Sequence, residues 1–142
     1  MFSGLPPITG RRIRIAVVGC GRISANHFKA IREHEDNLQL VSVCDNDPVQ
    51  LSAAVENTGA HGYSSLTELL AAGGVDVVAL CTPSGLHPAQ AIEAARSGCH
   101  VVTEKPMATR WVDGLSMVRQ CDQAGVRLFV VKQNRCNSTL QL

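Results

Sequence analysis

Four stretches of the sequence carry groups that could do chemistry. The first is Gly19-Cys20-Gly21-Arg22-Ile23-Ser24. A strand that turns sharply into a helix through such a glycine pair presents free backbone N–H groups and the positive end of a helix dipole, which suit a pyrophosphate. The second is Asp45, which falls near the spacing of about 20 residues at which an acidic side chain meets the ribose of a dinucleotide. The third is Cys81-Thr82-Pro83-Ser84-Gly85-Leu86-His87-Pro88, and the fourth is Thr103-Glu104-Lys105-Pro106. A lysine in the last could move protons if a neighbouring charge or a dry pocket tuned it.

Each of these stretches has a plain structural reading as well. Ser24 takes the position of the third glycine, whose task is close helix-to-strand packing, so a small serine departs from the pattern while preserving the mechanism. Asp45 could simply form a turn before Pro48. If it is a ligand, it can accept both adenosine ribose hydroxyls and would repel a 2′-phosphate, and Asn46 and Asp47 supply no arginine, which favours NAD over NADP. His87 is either a helix-flanking residue or a group beside a cofactor or substrate. His27 reads as structural, and His34, His61 and His100 join no constellation. On physical grounds alone Lys105 is a solvated lysine.

These residues need elements to hold them. Strands are expected over 12–18, 38–45, near Gly62-Tyr63, and over 75–81, 99–103 and 127–132. Helices are expected over 23–34, 48–58, 65–72, 88–97 and 109–124. Leu66, Leu69 and Leu70 share one helical face, Ala91, Ile92 and Ala95 another, and Trp111, Leu115 and Val118 a third, with Trp111 expected in the core. Strict alternation of strands and helices implies an α/β fold with a doubly wound parallel sheet, whose strand carboxyl ends open on one edge. All four stretches fall at that edge. Residues 1–11 contain Gly4, Pro6, Pro7 and Gly10 and are expected to form a loose arm.

Composition narrows the classes. The 142 residues suit one domain, and 45% hydrophobic content with only 4% aromatic fits buried parallel strands packed by small-residue helices. Thirteen basic against twelve acidic side chains leave a net charge of +1, too little to hold a nucleic-acid backbone or an anionic membrane. No apolar run approaches the roughly 20 residues of a membrane span. Six dispersed cysteines form no CxxC pair and follow no secretory signal, so they read as reduced, cytoplasmic thiols and not as a metal site.

Taken together, Gly19-Cys20-Gly21-Arg22, Thr82-Pro83-Ser84 with His87, and Glu104-Lys105-Pro106 resemble in order and spacing the glucose-fructose oxidoreductase and inositol dehydrogenase (Gfo/Idh/MocA) family, from about Arg12 onward. The resemblance implies a Rossmann domain over 12–135 that binds NAD through Gly19, Cys20, Gly21, Arg22, Ile23, Asp45, Thr82, Pro83, Ser84, His87, Glu104 and Lys105. It also implies that Lys105 sits at the nicotinamide and assists proton movement, supported by Glu104. At finer grain, residues 104–111 and 130–135 are similar to the UDP-N-acetylglucosaminuronate 3-dehydrogenases of lipopolysaccharide biosynthesis. For those enzymes the resemblance implies NAD-dependent oxidation of the sugar C3 hydroxyl, with Lys132, Asn134 and Arg135 suited to the uronate carboxylate. Those three also read as a polar exit from the sheet.

Family members continue into a second domain that supplies most substrate contacts, a catalytic histidine and the oligomer interface, so a full-length homo-oligomer is expected. Residues 136–142 would begin the connection to that domain, and the 142-residue chain alone is expected to bind NAD weakly and turn nothing over. A non-catalytic nucleotide-binding module, or a truncated relic, is the alternative. A methyltransferase would share the glycine turn but would leave Glu104-Lys105-Pro106 unexplained.

Overall fold

The computed structural model describes residues 5–132. Strands β1 (Ile13–Val18), β2 (Leu38–Cys44), β3 (His61–Tyr63), β4 (Val77–Leu80), β5 (His100–Thr103) and β6 (Leu128–Val130) alternate with helices α1 (Ser24–Glu33), α2 (Pro48–Thr58), α3 (Leu66–Ala72), α4 (His87–Arg96) and α5 (Trp111–Ala124). All strand pairs are parallel, in the order β3-β2-β1-β4-β5-β6. The order reverses between β1 and β4, the place where a doubly wound sheet opens a crevice at its carboxyl edge.

Both faces of the sheet are covered. Along β1, Ile15 and Val17 pack with Phe28, Ile31 and Ala54 from α1 and α2. The alternate residues Ala16 and Val18 pack with Leu66, Leu69, Ala91, Ala94 and Met117 from α3, α4 and α5. A strand buried on both sides cannot alternate polar with apolar residues, which is why β1 from Ile15 to Val18 and the whole of β4 are continuous runs of Val, Ile, Ala and Leu. Helix starts follow the local chemistry. Asp47 accepts the Val49 N–H at 2.9 Å ahead of Pro48, and Ser65 accepts the Glu68 N–H at 3.2 Å.

Two expectations are corrected. The first concerns α5, whose core contacts come from Met117 and Cys121, one turn apart, while Trp111 is 84% exposed and Val112, Leu115 and Val118 also face outward. The spacing of Trp111, Leu115 and Val118 is helical, but at the β6 side of the sheet only the Met117–Cys121 stripe meets the core. The second concerns α4, where the buried stripe is Ala91, Ala94 and Ala95, and Ile92 is only half-buried. The described residues ahead of β1, 5–12, form no helix or strand and make two contacts with the rest of the domain. The Leu5 N–H donates to Gly125 O, and Arg11 makes a bidentate contact with Asp76 at 2.6 and 2.9 Å. The Asp76 carboxylate also accepts from the Arg14 backbone and guanidinium, directly ahead of β4, which begins at Val77.

Candidate cofactor and active site

The turn after β1 is built around contacts that only glycine permits. Gly19 has φ +89°, and a Cβ on it would stand 2.8 Å from the backbone of Cys81 and Thr82. Its N–H donates to Cys44 O, so the turn is braced between β2 and the segment after β4. Gly21 is different: a Cβ there would meet nothing within 4 Å, which leaves open space over its backbone. Ser24 is buried and its Oγ donates to Gly21 O at 2.6 Å, so the serine packs as the third glycine would and also ties the turn to the start of α1. Among the described residues, the N–H groups of Gly21, Arg22 and Ile23 have no protein acceptor. Free N–H groups, an open approach and a helix start fit a pyrophosphate.

Asp45 stands beside this turn, directly after β2. Its Oδ2 accepts the Cys20 N–H at 2.7 Å and its Oδ1 accepts the Asp47 N–H at 2.8 Å. These contacts aim the carboxylate along the crevice. A cleft of about 450 Å³ runs here, bordered by Gly19, Gly21, Asp45, Asn46, Thr82 and Pro83. It is large enough for part of a nucleotide. Thr82, Pro83 and Cys81 also border an adjoining cleft of about 250 Å³, completed by Ile23, Ser84, His87, Glu104 and Lys105. The expected residues of the glycine turn, Asp45, the Thr82 segment and Lys105 therefore line one continuous edge. Arg22 is exposed at the turn, and Lys132 is exposed just beyond β6. Asn134 and Arg135 lie outside the described residues. A further cleft of about 470 Å³, bordered by Arg12, Arg32 and Thr58, lies at the opposite, amino-terminal edge of the sheet, away from these groups.

His87 borders the second cleft, but its ring is 1% exposed and occupied at both nitrogens. Nε2 lies 2.8 Å from Thr82 O and Nδ1 lies 3.1 Å from Pro106 O. The imidazole thus joins the two segments that line the cleft. Thr82 Oγ1 donates to Gln90 Oε1 at 2.5 Å. The sequence reading missed Gln90, and also the pairing of His27 Nε2 with Glu104 Oε1 at 2.6 Å. Nothing in the local sequence marks His27, because its partner Glu104 lies 77 residues away.

The thiols near the turn are quiet. Burial raises Cys20 to about 11, and burial raises Cys44 and Cys81 to about 12, with the Asp45 charge adding to the first two and Glu104 to the third. All are protonated and unreactive at neutral pH. No grouping of three potential metal ligands occurs among the described residues, and no helix among them is long and apolar enough to cross a membrane.

The family model for the Gfo/Idh/MocA oxidoreductase family, NAD-binding Rossmann fold, matches residues 13–132. The chain belongs to that family. It is 61% identical to the WlbA dehydrogenase of Chromobacterium violaceum, whose structure holds NADH and UDP-GlcNAcA. The match covers 96% of this chain and 40% of that one, with a TM-score of 0.94. The WlbA dehydrogenase of Bordetella pertussis, also solved with NADH and UDP-GlcNAcA, is 62% identical over 95% of this chain and 40% of its own, again with a TM-score of 0.94. A 4-carboxy-2-hydroxymuconate-6-semialdehyde dehydrogenase from Sphingobium is 32% identical over 91% of this chain and 41% of its own length. The chain spans about two fifths of the length of these relatives.

Proposed function

We propose that the full-length protein is an NAD-dependent dehydrogenase that oxidises a sugar hydroxyl, the C3 hydroxyl of UDP-N-acetylglucosaminuronate, for lipopolysaccharide or O-antigen sugars. The observation that carries this is the single edge on which Asp45, the open backbone of Gly21 and Lys105 are aligned, in a chain more than 60% identical to dehydrogenases solved with NADH and UDP-GlcNAcA.

In this reading the N–H groups at Gly21, Arg22 and Ile23, beside Cys20, take the pyrophosphate, and Gly19 allows the turn to form. Asp45 accepts the adenosine ribose hydroxyls, which selects NAD over NADP. Thr82 and Pro83 form the wall between the two clefts, Ser84 lines the second, and His87 holds that wall to the Lys105 segment. Bound NAD supplies the hydride acceptor. Lys105 takes the proton released from the hydroxyl as the carbonyl forms, with Glu104 beside it. Lys132, Asn134 and Arg135 supply the cationic and amide groups suited to the uronate carboxylate.

We assign residues 12–135 to the cofactor domain and 136–142 to the connection to a substrate domain, and place the protein in the cytoplasm. The outward apolar side of α5, with Trp111, Val112 and Val118, supports assembly of the full-length protein into a homo-oligomer. Incubation of the full-length protein with NAD and UDP-N-acetylglucosaminuronate, followed by mass spectrometry of the sugar nucleotide, tests the reaction. Loss of two hydrogens from the hexose unit is expected, and recovery of unaltered substrate would overturn the assignment.

A further inference from the structure

His27 has no part in the roles above, yet among the described residues its ring joins α1 to the side chain next to Lys105. Its Nε2 lies 2.6 Å from Glu104 Oε1 across 77 residues of sequence, and the two side chains are 17% and 13% exposed. Among the described residues, no other side chain donates to the Glu104 carboxylate. Around the pair, Ile23, Ala30 and Val131 are apolar, and Asn26 completes a cleft of about 230 Å³. Glu104 also borders the cleft that contains Lys105, so its carboxylate lies in the wall between the two. The His27 contact is thus the one side-chain hydrogen bond to that carboxylate among the described residues.

We propose that His27 is a positioning residue for the reaction: through its ring it holds the Glu104 carboxylate in the cleft wall and leaves the Lys105 amine free to meet the substrate hydroxyl. This rests on the dehydrogenase reading. Without the donor, the carboxylate is free to pair with the adjacent Lys105, which lines the same cleft, and so to tie up the group that must take the proton. A carboxylate fixed at a distance instead favours the cationic charge that appears on Lys105 as it accepts a proton, without occupying its nitrogen.

The test uses the full-length protein with His27→Leu, His27→Gln and Glu104→Gln, and with His27→Leu and Glu104→Gln combined. His27→Leu should lower kcat by about tenfold or more while the KM for sugar nucleotide changes by less than about threefold. His27→Gln keeps an N–H donor of similar reach and should recover most of the loss. In the Glu104→Gln background, His27→Leu should cost nothing further, because the residue acts through Glu104. A readout independent of turnover is the imidazole ¹⁵N–¹H spectrum, in which the His27 signal should move in Glu104→Gln without cofactor. Equal losses in His27→Leu and His27→Gln, multiplying losses in the double variant, or an unmoved imidazole signal would overturn the proposal. A full-length wild type that leaves NAD and UDP-N-acetylglucosaminuronate unaltered would instead overturn the dehydrogenase reading, and the imidazole signal would still report on the His27–Glu104 contact.

Discussion

Gly19 is packed against Cys81 so closely that a Cβ would lie 2.8 Å from the Cys81 carbonyl carbon, whereas Gly21, two residues on, has open space above it. The two glycines should therefore fail in different ways. Gly19→Ala forces a side chain into φ +89° and against backbone, at a cost of at least about 1–2 kcal/mol, and should show as a lower melting temperature. Gly21→Ala should melt with wild type but bind NAD at least about tenfold more weakly, because its methyl fills the approach to the free N–H groups. Calorimetry on both variants separates the two effects.

Asp45 links cofactor choice to the turn, since one oxygen accepts the Cys20 N–H at 2.7 Å. Asp45→Ala removes an ionised acceptor and the charge that repels a 2′-phosphate. Affinity for NAD should fall about ten- to hundredfold, as for loss of a hydrogen bond to a charged group, and the preference over NADP should shrink. Titration of wild type and variant with each cofactor measures both.

The buried thiols should be slow to label. With Cys20 at about 11 and Cys44 and Cys81 at about 12, a disulfide reagent at neutral pH should find almost no thiolate in folded Cys136→Ser protein. All five remaining thiols should react once the protein is unfolded in denaturant.

Asp76 gives the fold an acid-sensitive tie. The Arg11 hydrogen bond first, and those from Arg14 next, hold its carboxyl well below the usual carboxylate range. Folding thus disfavours its protonation, so the stabilisation is complete above the ordinary value near pH 4 and is lost as pH falls towards the lower folded-state value. Asp76→Asn should melt lower than wild type at neutral pH, by about 3 °C for each kcal/mol lost, and the gap should close in acid. Thermal melts of both proteins across the acid range check this.

Much of this was legible in the sequence because period and punctuation agreed. Helix α2 spans Pro48–Thr58 as expected, since Asp47 and Pro48 are a clear start signal, and the structure adds Gly59 as its left-handed C-cap. The crevice residues were legible because each follows a strand, and parallel strands bring their carboxyl ends to one edge. The outward side of α5 was not: helical spacing shows that Trp111, Leu115 and Val118 share a face, but not whether that face meets the sheet. Nor was the His27–Glu104 contact, which depends on α1 and β5 lying near one another across three intervening strands of sequence. His87 was ambiguous for the same reason, because its two carbonyl partners come from segments 19 and 5 residues away that only the fold brings together.

The central claim is that this domain carries the proton-transfer lysine of an NAD-dependent sugar-nucleotide dehydrogenase. It is tested most directly by NADH formation from NAD and UDP-N-acetylglucosaminuronate in full-length wild type and Lys105→Met. The wild type should form NADH, and the variant should be slower by about a hundredfold or more while still binding NAD. Equal rates in the two proteins, or no NADH from either, would contradict it.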